Sequence, residues 1–227
     1  SEGAIDQVKL TPRGDVEYSV IGGGKPKGLC GSGIVDLLAE LFVHGLIDRQ
    51  GRFRGAAAGS RLVGEDRDRR FLIETAGHSA WGRDIVVSER DIANLIRTKA
   101  AVFSACSLLL KNVGLSRKDL AAVFVAGGFG ENLDIENAVR IGLLPDIERT
   151  RFHYLGNSSL AGAYFRLLSK GNRLRVEALA RKMTYSELMT EPSYMNEYTG
   201  ALFLPHTELG LFPSVRPLMR AGDGEDQ

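Results

Sequence analysis

Apolar and polar residues alternate along Ala4-Ile-Asp-Gln-Val-Lys-Leu10 and again along Val16-Glu-Tyr-Ser-Val-Ile21. This predicts two half-buried strands, joined through Thr11-Pro-Arg-Gly-Asp15 with Pro and Gly in turn positions. A lone hairpin is marginal in water and needs a sheet to join, so further chain upstream is expected. After the glycine- and lysine-rich loop Gly22–Gly33 the period changes. Ile34, Leu37, Leu38, Leu41 and Phe42 line one face of a helix from about Ile34 to His44, ended by Gly45. Residues 46–87 are Arg-, Gly- and Ala-rich around Arg52 to Arg70 and predict a peripheral insertion with two short strands, Arg70–Ile73 and Asp84–Val87. Ser88-Glu-Arg-Asp91 has the form of a capping box and predicts a long helix to about Asn112, before Gly114. Its apolar face carries Ile92, Ile96, Phe103, Cys106 and Leu110, with Lys99 in the middle and Cys106 read as a small buried residue.

The second half repeats one unit. Ala121-Ala-Val-Phe-Val-Ala126 is apolar without alternation, which predicts a strand covered on both faces, and it runs into Gly127-Gly-Phe-Gly-Glu-Asn-Leu-Asp134 and a helix start. Arg151-Phe-His-Tyr-Leu-Gly156 followed by Asn157-Ser-Ser-Leu-Ala-Gly-Ala-Tyr164 repeats strand, turn and helix, the helix ending near Gly171. Two such units in succession imply parallel strands with helical crossovers in an α/β fold. A further helix is expected over Val176 to Lys182, an edge strand over Thr184 to Met189, irregular aromatic-rich chain from Tyr194 to Pro213, and a frayed tail from Arg220 to Gln227.

Composition narrows the functional classes. The 227 residues are 44% hydrophobic, enough for a real core in one large domain or two small lobes. A net charge of +1 gives no global basic field, so nucleic acid is not an expected partner. No uninterrupted apolar stretch approaches the roughly 20 residues of a membrane span, and the N-terminus lacks a signal pattern. A cytoplasmic protein without membrane association is the expectation. Two cysteines far apart, Cys30 and Cys106, indicate neither a disulfide framework nor a metal site.

The candidate chemistry lies in the glycines. Gly127, Gly128 and Gly130 let backbone lie where a Cβ would collide with a ligand, and Asn132 or Asp134 can cap the following helix so that its first N–H groups face the turn. The same glycines also suit a plain turn or close helix packing. Lys99 either snorkels outward along its stem or reaches a ligand at a cleft.

Three segments then converge: Gly28-Leu-Cys-Gly-Ser-Gly-Ile-Val-Asp36, Val125-Ala-Gly-Gly-Phe-Gly-Glu-Asn132 and Leu155-Gly-Asn-Ser-Ser-Leu-Ala-Gly-Ala163, with Ile141-Gly-Leu-Leu-Pro145 between them. Their order and spacing resemble the C-terminal region of the ATP-dependent reductive activators of corrinoid proteins, within the acetate and sugar kinase, heat-shock chaperone and actin superfamily. The resemblance covers nearly the whole chain. It implies a ribonuclease-H-like lobe of the actin/kinase type, a mixed sheet flanked by helices, with residues 1–227 as the second lobe and residues 46–87 inserted in it. It implies ATP with Mg2+ as cofactor, and a [2Fe-2S] or other iron–sulfur cluster only in an upstream domain. The partner it implies is a corrinoid protein of a methyltransferase system, returned to Co(I) for methyl transfer; a homodimer stays open. By the same resemblance Gly127, Gly128, Gly130, Glu131 and Asn132 match the adenosine motif. Gly31, Ser32 and Gly33 match the glycine turn opening the first helix, and Lys99 sits in the helix beside adenine and ribose. No metal ligand and no catalytic residue is assigned, and poor ATPase activity is expected of this chain alone.

Cys30-Gly-Ser-Gly also resembles the Cys-Ala-Ala-Gly-Thr-Gly turn that gives a shared-cluster cysteine in activators of 2-hydroxyacyl-CoA dehydratases. A second cysteine of that arrangement has no counterpart, so a helix-opening role for Cys30 stands beside cluster ligation. The rival readings are a nucleotide-responsive binding module and a sugar or acid kinase lobe of the same superfamily.

Overall fold

The computed structural model describes residues 1–11, 13–54, 61–65 and 68–219, and for Glu131 and Met189 the backbone only. The expected frayed tail at 220–227 lies outside the described residues. The opening hairpin forms as its alternation predicts. Strand β1 (Ala4–Leu10) pairs antiparallel with β2 (Val16–Val20) and turns Ile5, Val8 and Leu10 into the core. Strand β3 (Gly28–Leu29) adds to β1 in parallel at Ala4 and Ile5, giving a mixed sheet of order β2-β1-β3.

Helix α1 (Gly31–Val43) follows at once and takes over the edge of β1 that β3 leaves. Asp6 C=O accepts from Ser32 Oγ (2.9 Å), Val8 N–H donates to Asp36 Oδ2 (3.3 Å) and Leu10 N–H donates to Glu40 Oε2 (2.8 Å). Four helical residues rise about 6 Å and two strand residues about 6.6 Å, so a stripe at i, i+4, i+8 stays in register with alternate residues of a strand. Ser32, Asp36 and Glu40 are buried in these bonds, and the rest of α1 is apolar and buried almost all round. The helix starts at Gly31, not at Ile34 where its apolar stripe begins, so the predicted glycine turn is its first turn. Gly33 is required there because a Cβ would fall 2.4 Å from the Ile5 carbonyl oxygen.

Between α1 and the next helix, β4 (Leu62–Val63), β5 (Arg70–Glu74) and β6 (Ile85–Ser88) form an antiparallel sheet. Its buried residues Phe71, Ile73, Ile85 and Val87 belong to the same core as α1 and β1, which fastens this part of the chain to the body of the fold. Helix α2 (Glu89–Asn112) opens with the predicted capping box: Ser88 Oγ accepts from Asp91 N–H (3.3 Å), and Asp91 Oδ2 accepts from Ser88 N–H (3.0 Å). By length and composition α2 is apolar enough to cross a membrane; here Ile92, Ile96, Ala100 and Phe103 pack the core. Its buried positions then step to Ser104 and Leu108, which leaves Cys106 exposed, correcting the buried position read from the stripe.

The two repeated units form a separate parallel pair, β7 (Val123–Ala126) and β8 (Phe152–Gly156), with α3 (Ile135–Arg140) between them. The expectation of cover on both faces does not hold among the described residues: Val123 and Val125 are half-buried, but Phe124, Tyr154 and Leu155 are exposed. Helix α4 (Ser158–Leu168) ends at Ser169, whose extended backbone breaks the helix and whose Oγ accepts from Asn172 N–H (3.1 Å), starting α5 (Lys170–Lys182). Gly171 is therefore inside a helix and not at the end of one, and α5 begins before the predicted Val176. The edge strand expected at Thr184 to Met189 is absent; that segment runs unpaired into a short 3-10 turn at Leu188–Thr190. The segment expected to be irregular opens with helix α6 (Tyr194–Ala201), which packs on α2, where Glu197 accepts from Ser107 Oγ (3.0 Å) and pairs with Lys111.

Candidate functional site

The two glycine motifs meet. Helix α3 is capped by Asp134, whose Oδ1 accepts from Asn137 N–H (2.8 Å), while Asn132 Nδ2 donates to Gly128 C=O (3.2 Å) and closes the turn on itself. Of the two capping candidates the structure selects Asp134. The closed turn swings the Phe129 ring over Gly31, so near that a Cβ on Gly31 would lie 2.5 Å from the ring. Gly127 holds φ +96°, the left-handed region that favours glycine. Gly128 has no positive φ, and a Cβ there would meet nothing within 4 Å, so its backbone lies open. Gly130 lies against Val125, where a Cβ would come within 2.7 Å of that side chain, and has a packing role. The Glu131 side chain is outside the described residues; its backbone belongs to the turn.

Beside this turn a cleft of about 810 Å3 opens between β1, β2, α1 and α3. Asp36 sits in its wall, its Oδ1 accepting from Asn137 Nδ2 (2.8 Å). Burial pushes the Asp36 carboxyl up from its ordinary range, against the bonds from Asn137 and Val8 that favour the charged form. The Tyr154 hydroxyl closes another side by donating to Leu133 C=O (2.6 Å). On the far side, burial and a 2.5 Å hydrogen bond to Glu74 push Tyr18 up to about 12. The lining carries Glu17, Asp36, Glu40, Asp134 and Glu136 against Lys9 and Arg140. Such a wall suits the hydroxyls and amino groups of a ligand and repels phosphate. Next to it lies the open backbone at Gly127 and Gly128, where a Cβ would meet nothing within 4 Å. Among the described residues no group of three His, Cys, Asp or Glu side chains is placed to hold a metal ion.

Three cleft residues, Asp36, Glu40 and Asn137, were not singled out from sequence. A signal for two of them was there: Ser32, Asp36 and Glu40 repeat every four residues as the polar stripe of an otherwise apolar helix. Cys30 lies at the N-terminal boundary of α1 without a capping bond, its Sγ 3.2 Å from Ser32 Oγ, as a free thiol.

Lys99 lies elsewhere. Its side chain is fully buried, and Nζ donates to the carbonyls of Phe203 (2.6 Å) and Pro205 (2.7 Å) in the loop that covers α2. It neither snorkels to solvent nor lines the cleft. Arg49 grips the same loop from the other side, donating to the carbonyls of Leu204 (3.3 Å), His206 (2.7 Å) and Thr207 (3.3 Å). His206 is buried beside them, and burial together with Lys99 lowers it to about 4. The folded chain therefore resists a proton that the unfolded chain accepts near pH 6.5. Stability rises with pH across that window and is lost as pH falls from 6.5 towards 4. A loss of about 2–3 kcal/mol is expected by pH 4.5, from the scale of about 1.4 kcal/mol per pKa unit. Urea unfolding at pH 7.0 and 4.5 checks it, with His206→Asn expected to flatten the difference.

The fold is shared with known proteins. The chain is 40% identical over 203 residues to the corrinoid activation enzyme RamQ of Eubacterium limosum, covering 86% of this chain and 34% of that protein. It is 26% identical over 196 residues to the [Co(II) methylated amine-specific corrinoid protein] reductase of Methanosarcina barkeri, with coverage of 86% and 31%. A solved structure titled reductive activator for corrinoid,iron-sulfur protein superposes with a TM-score of 0.90 at 44% identity, over 95% of this chain and 34% of that one. The chain thus spans about a third of the length of the proteins it matches. Residues 1–216, which carry the paired glycine turns, the α1 stripe and the loop gripped by Lys99, match the family described as the C-terminal domain of RACo, the ASKHA domain, and the chain belongs to that family.

Proposed function

We propose that this chain supplies the nucleoside-facing part of an ATP site in a reductive activator of corrinoid proteins. The observation that carries it is the approach of the Gly127–Asn132 turn to the helix opening at Gly31, Ser32 and Gly33, leaving open backbone at Gly128 next to an acceptor-rich cleft. In this reading the cleft takes the sugar and base, and the phosphates leave across Gly127 and Gly128. In the whole activator an upstream iron–sulfur cluster would supply the electron that returns the corrinoid cobalt to Co(I), and ATP bound at this domain would make that transfer favourable. Mg2+ would be held by the phosphates. The names of the relatives support the corrinoid partner, and the family supports the nucleotide.

Gly128→Val tests the site without straining the turn, because the φ is ordinary and the space is empty. ATP affinity is expected to fall at least about tenfold, the scale of a lost or blocked polar contact, with the melting temperature unchanged. Calorimetric titration of ATP into wild type and variant, beside corrinoid reactivation by the whole activator carrying the same change, measures both. Unchanged affinity in a folded variant would remove the turn from the site.

A further inference from the structure

We infer that helices α4 and α5 are the surface on which an acidic face of the corrinoid protein docks, an inference that rests on the partner proposed above. Neither helix buries a residue. Along α4, Leu160, Tyr164, Leu167 and Leu168 recur at i, i+4, i+7 and i+8, the spacing of one helix face, yet all four are exposed, Leu167 by 83%. A stripe of this kind ordinarily faces a core, and an apolar patch left bare marks a place of interaction.

The charge on the two helices says what covers them. From Ser158 to Lys182 the chain carries six basic residues, Arg166, Lys170, Arg173, Arg175, Arg181 and Lys182, and one acid, Glu177. Because the whole chain is net +1, everything outside this segment is net acidic. Glu177 pairs with Arg166 (3.3 Å) and Arg173 (3.0 Å), and among the described residues no carboxylate pairs with Lys170, Arg175, Arg181 or Lys182. At the corner between the helices a groove of about 520 Å3 joins the two chemistries, with Leu167 and Leu174 beside Arg166, Lys170 and Arg173. It fits an apolar side chain flanked by carboxylates. The same asymmetry orients the encounter, since an acidic partner is repelled by the rest of the chain and drawn to this end.

The arrangement favours a protein over a lipid surface. A helix lying on a membrane separates an apolar face from a charged one. In α5, Lys170 with Leu174 and Arg175 with Leu179 stand four residues apart and so share faces. Mixed leucine and cation suits a protein interface, where apolar contacts are ringed by polar ones.

The whole activator, titrated with its corrinoid protein, supplies the test. Lys170→Glu combined with Arg175→Glu changes two exposed, unpaired cations away from the nucleotide cleft, and should weaken corrinoid-protein binding at least about tenfold while ATP affinity is unchanged. Wild-type binding should weaken as salt rises, and the variant's should respond less. In radical footprinting, Tyr164, Leu167 and Met183 should be oxidised in the free activator and protected by the corrinoid protein. Equal binding by wild type and variant would overturn the inference and leave the proposed function standing. A wild-type activator that binds ATP but not the corrinoid protein would remove the proposed partner, and the inference with it. Protection already present in the free activator would overturn it in favour of cover by another part of the same polypeptide. Loss of binding to phosphatidylserine vesicles in the variant, with corrinoid-protein binding intact, would overturn it in favour of a membrane.

Discussion

Lys99→Ala is expected to unfold a large share of the molecules at temperatures the wild type withstands. The substitution removes both donors from the buried carbonyls of Phe203 and Pro205 and leaves a cavity in α2's buried face. Two stranded acceptors and a truncated side chain together suggest a loss of about 4 kcal/mol, near the top of what single substitutions do. For a chain of this size that is a fall of roughly 8–16 °C in melting temperature, readable by calorimetry. Lys99→Met, which keeps the stem's volume, should recover part of it. Burial, with Arg49 close by, lowers the Lys99 amine to about 7. An uncharged amine still carries two hydrogens, enough for both carbonyls. Between pH 7 and the unfolded value of about 10.5 the unfolded chain holds a proton that the folded chain has released. Wild-type stability should rise across that window, and the rise should vanish in Lys99→Met. An unchanged melting temperature in Lys99→Ala would refute the anchoring role.

Gly142→Ala should be about as damaging, for a different reason. Gly142 holds φ +76°, and a Cβ there would lie 2.1 Å from the Pro205 carbonyl oxygen, the same atom that accepts from Lys99. The obstacle is backbone, which cannot rotate away, and the conformation is itself unfavourable for alanine. A loss of about 3 kcal/mol or more is expected, while Gly128→Ala, with open space and ordinary φ, should cost little. Denaturant titration of the two alanine variants side by side measures the contrast. Equal stabilities would mean that the loop moves freely from Gly142.

These predictions show where the sequence was readable. Local signals were: the Ser88–Asp91 capping box, the hairpin alternation and the strands at 70–74 and 85–88 depend on neighbours in the chain, and they formed near their expected limits. Contacts between distant segments were less readable. The polarity of Lys99 in an apolar stripe was visible, but nothing local reveals that carbonyls from residues more than a hundred positions away would satisfy it. Helix α6 was hidden because its docking on α2 uses Glu197 with Ser107 and Lys111, and Ala201 is its one buried residue. Among the site residues, the glycines were legible as a motif but not by role. Only the packing around them separates Gly33 and Gly130, which make room for neighbours, from Gly128, which faces open space. The apolar run Ala121–Ala126 was misjudged because an apolar strand signals a covering layer without saying where the layer comes from.

The polar stripe of α1 has a bearing on how copies of this domain avoid one another. An exposed strand edge is a template for strand addition, and folded proteins guard such edges with charge, bulges or cover. Here the edge of β1 is guarded by a helix whose Ser32, Asp36 and Glu40 occupy alternate backbone groups in turn. An intruding strand would have to strip two buried carboxylates of their amide partners before forming its first ladder bond. Aggregation by β-augmentation is thereby closed along this edge of β1. By contrast β7 and β8 pair only with each other among the described residues, and that short parallel ribbon, with Phe124 and His153 exposed side by side on one face, is where adhesion between unfolding or crowded chains should begin.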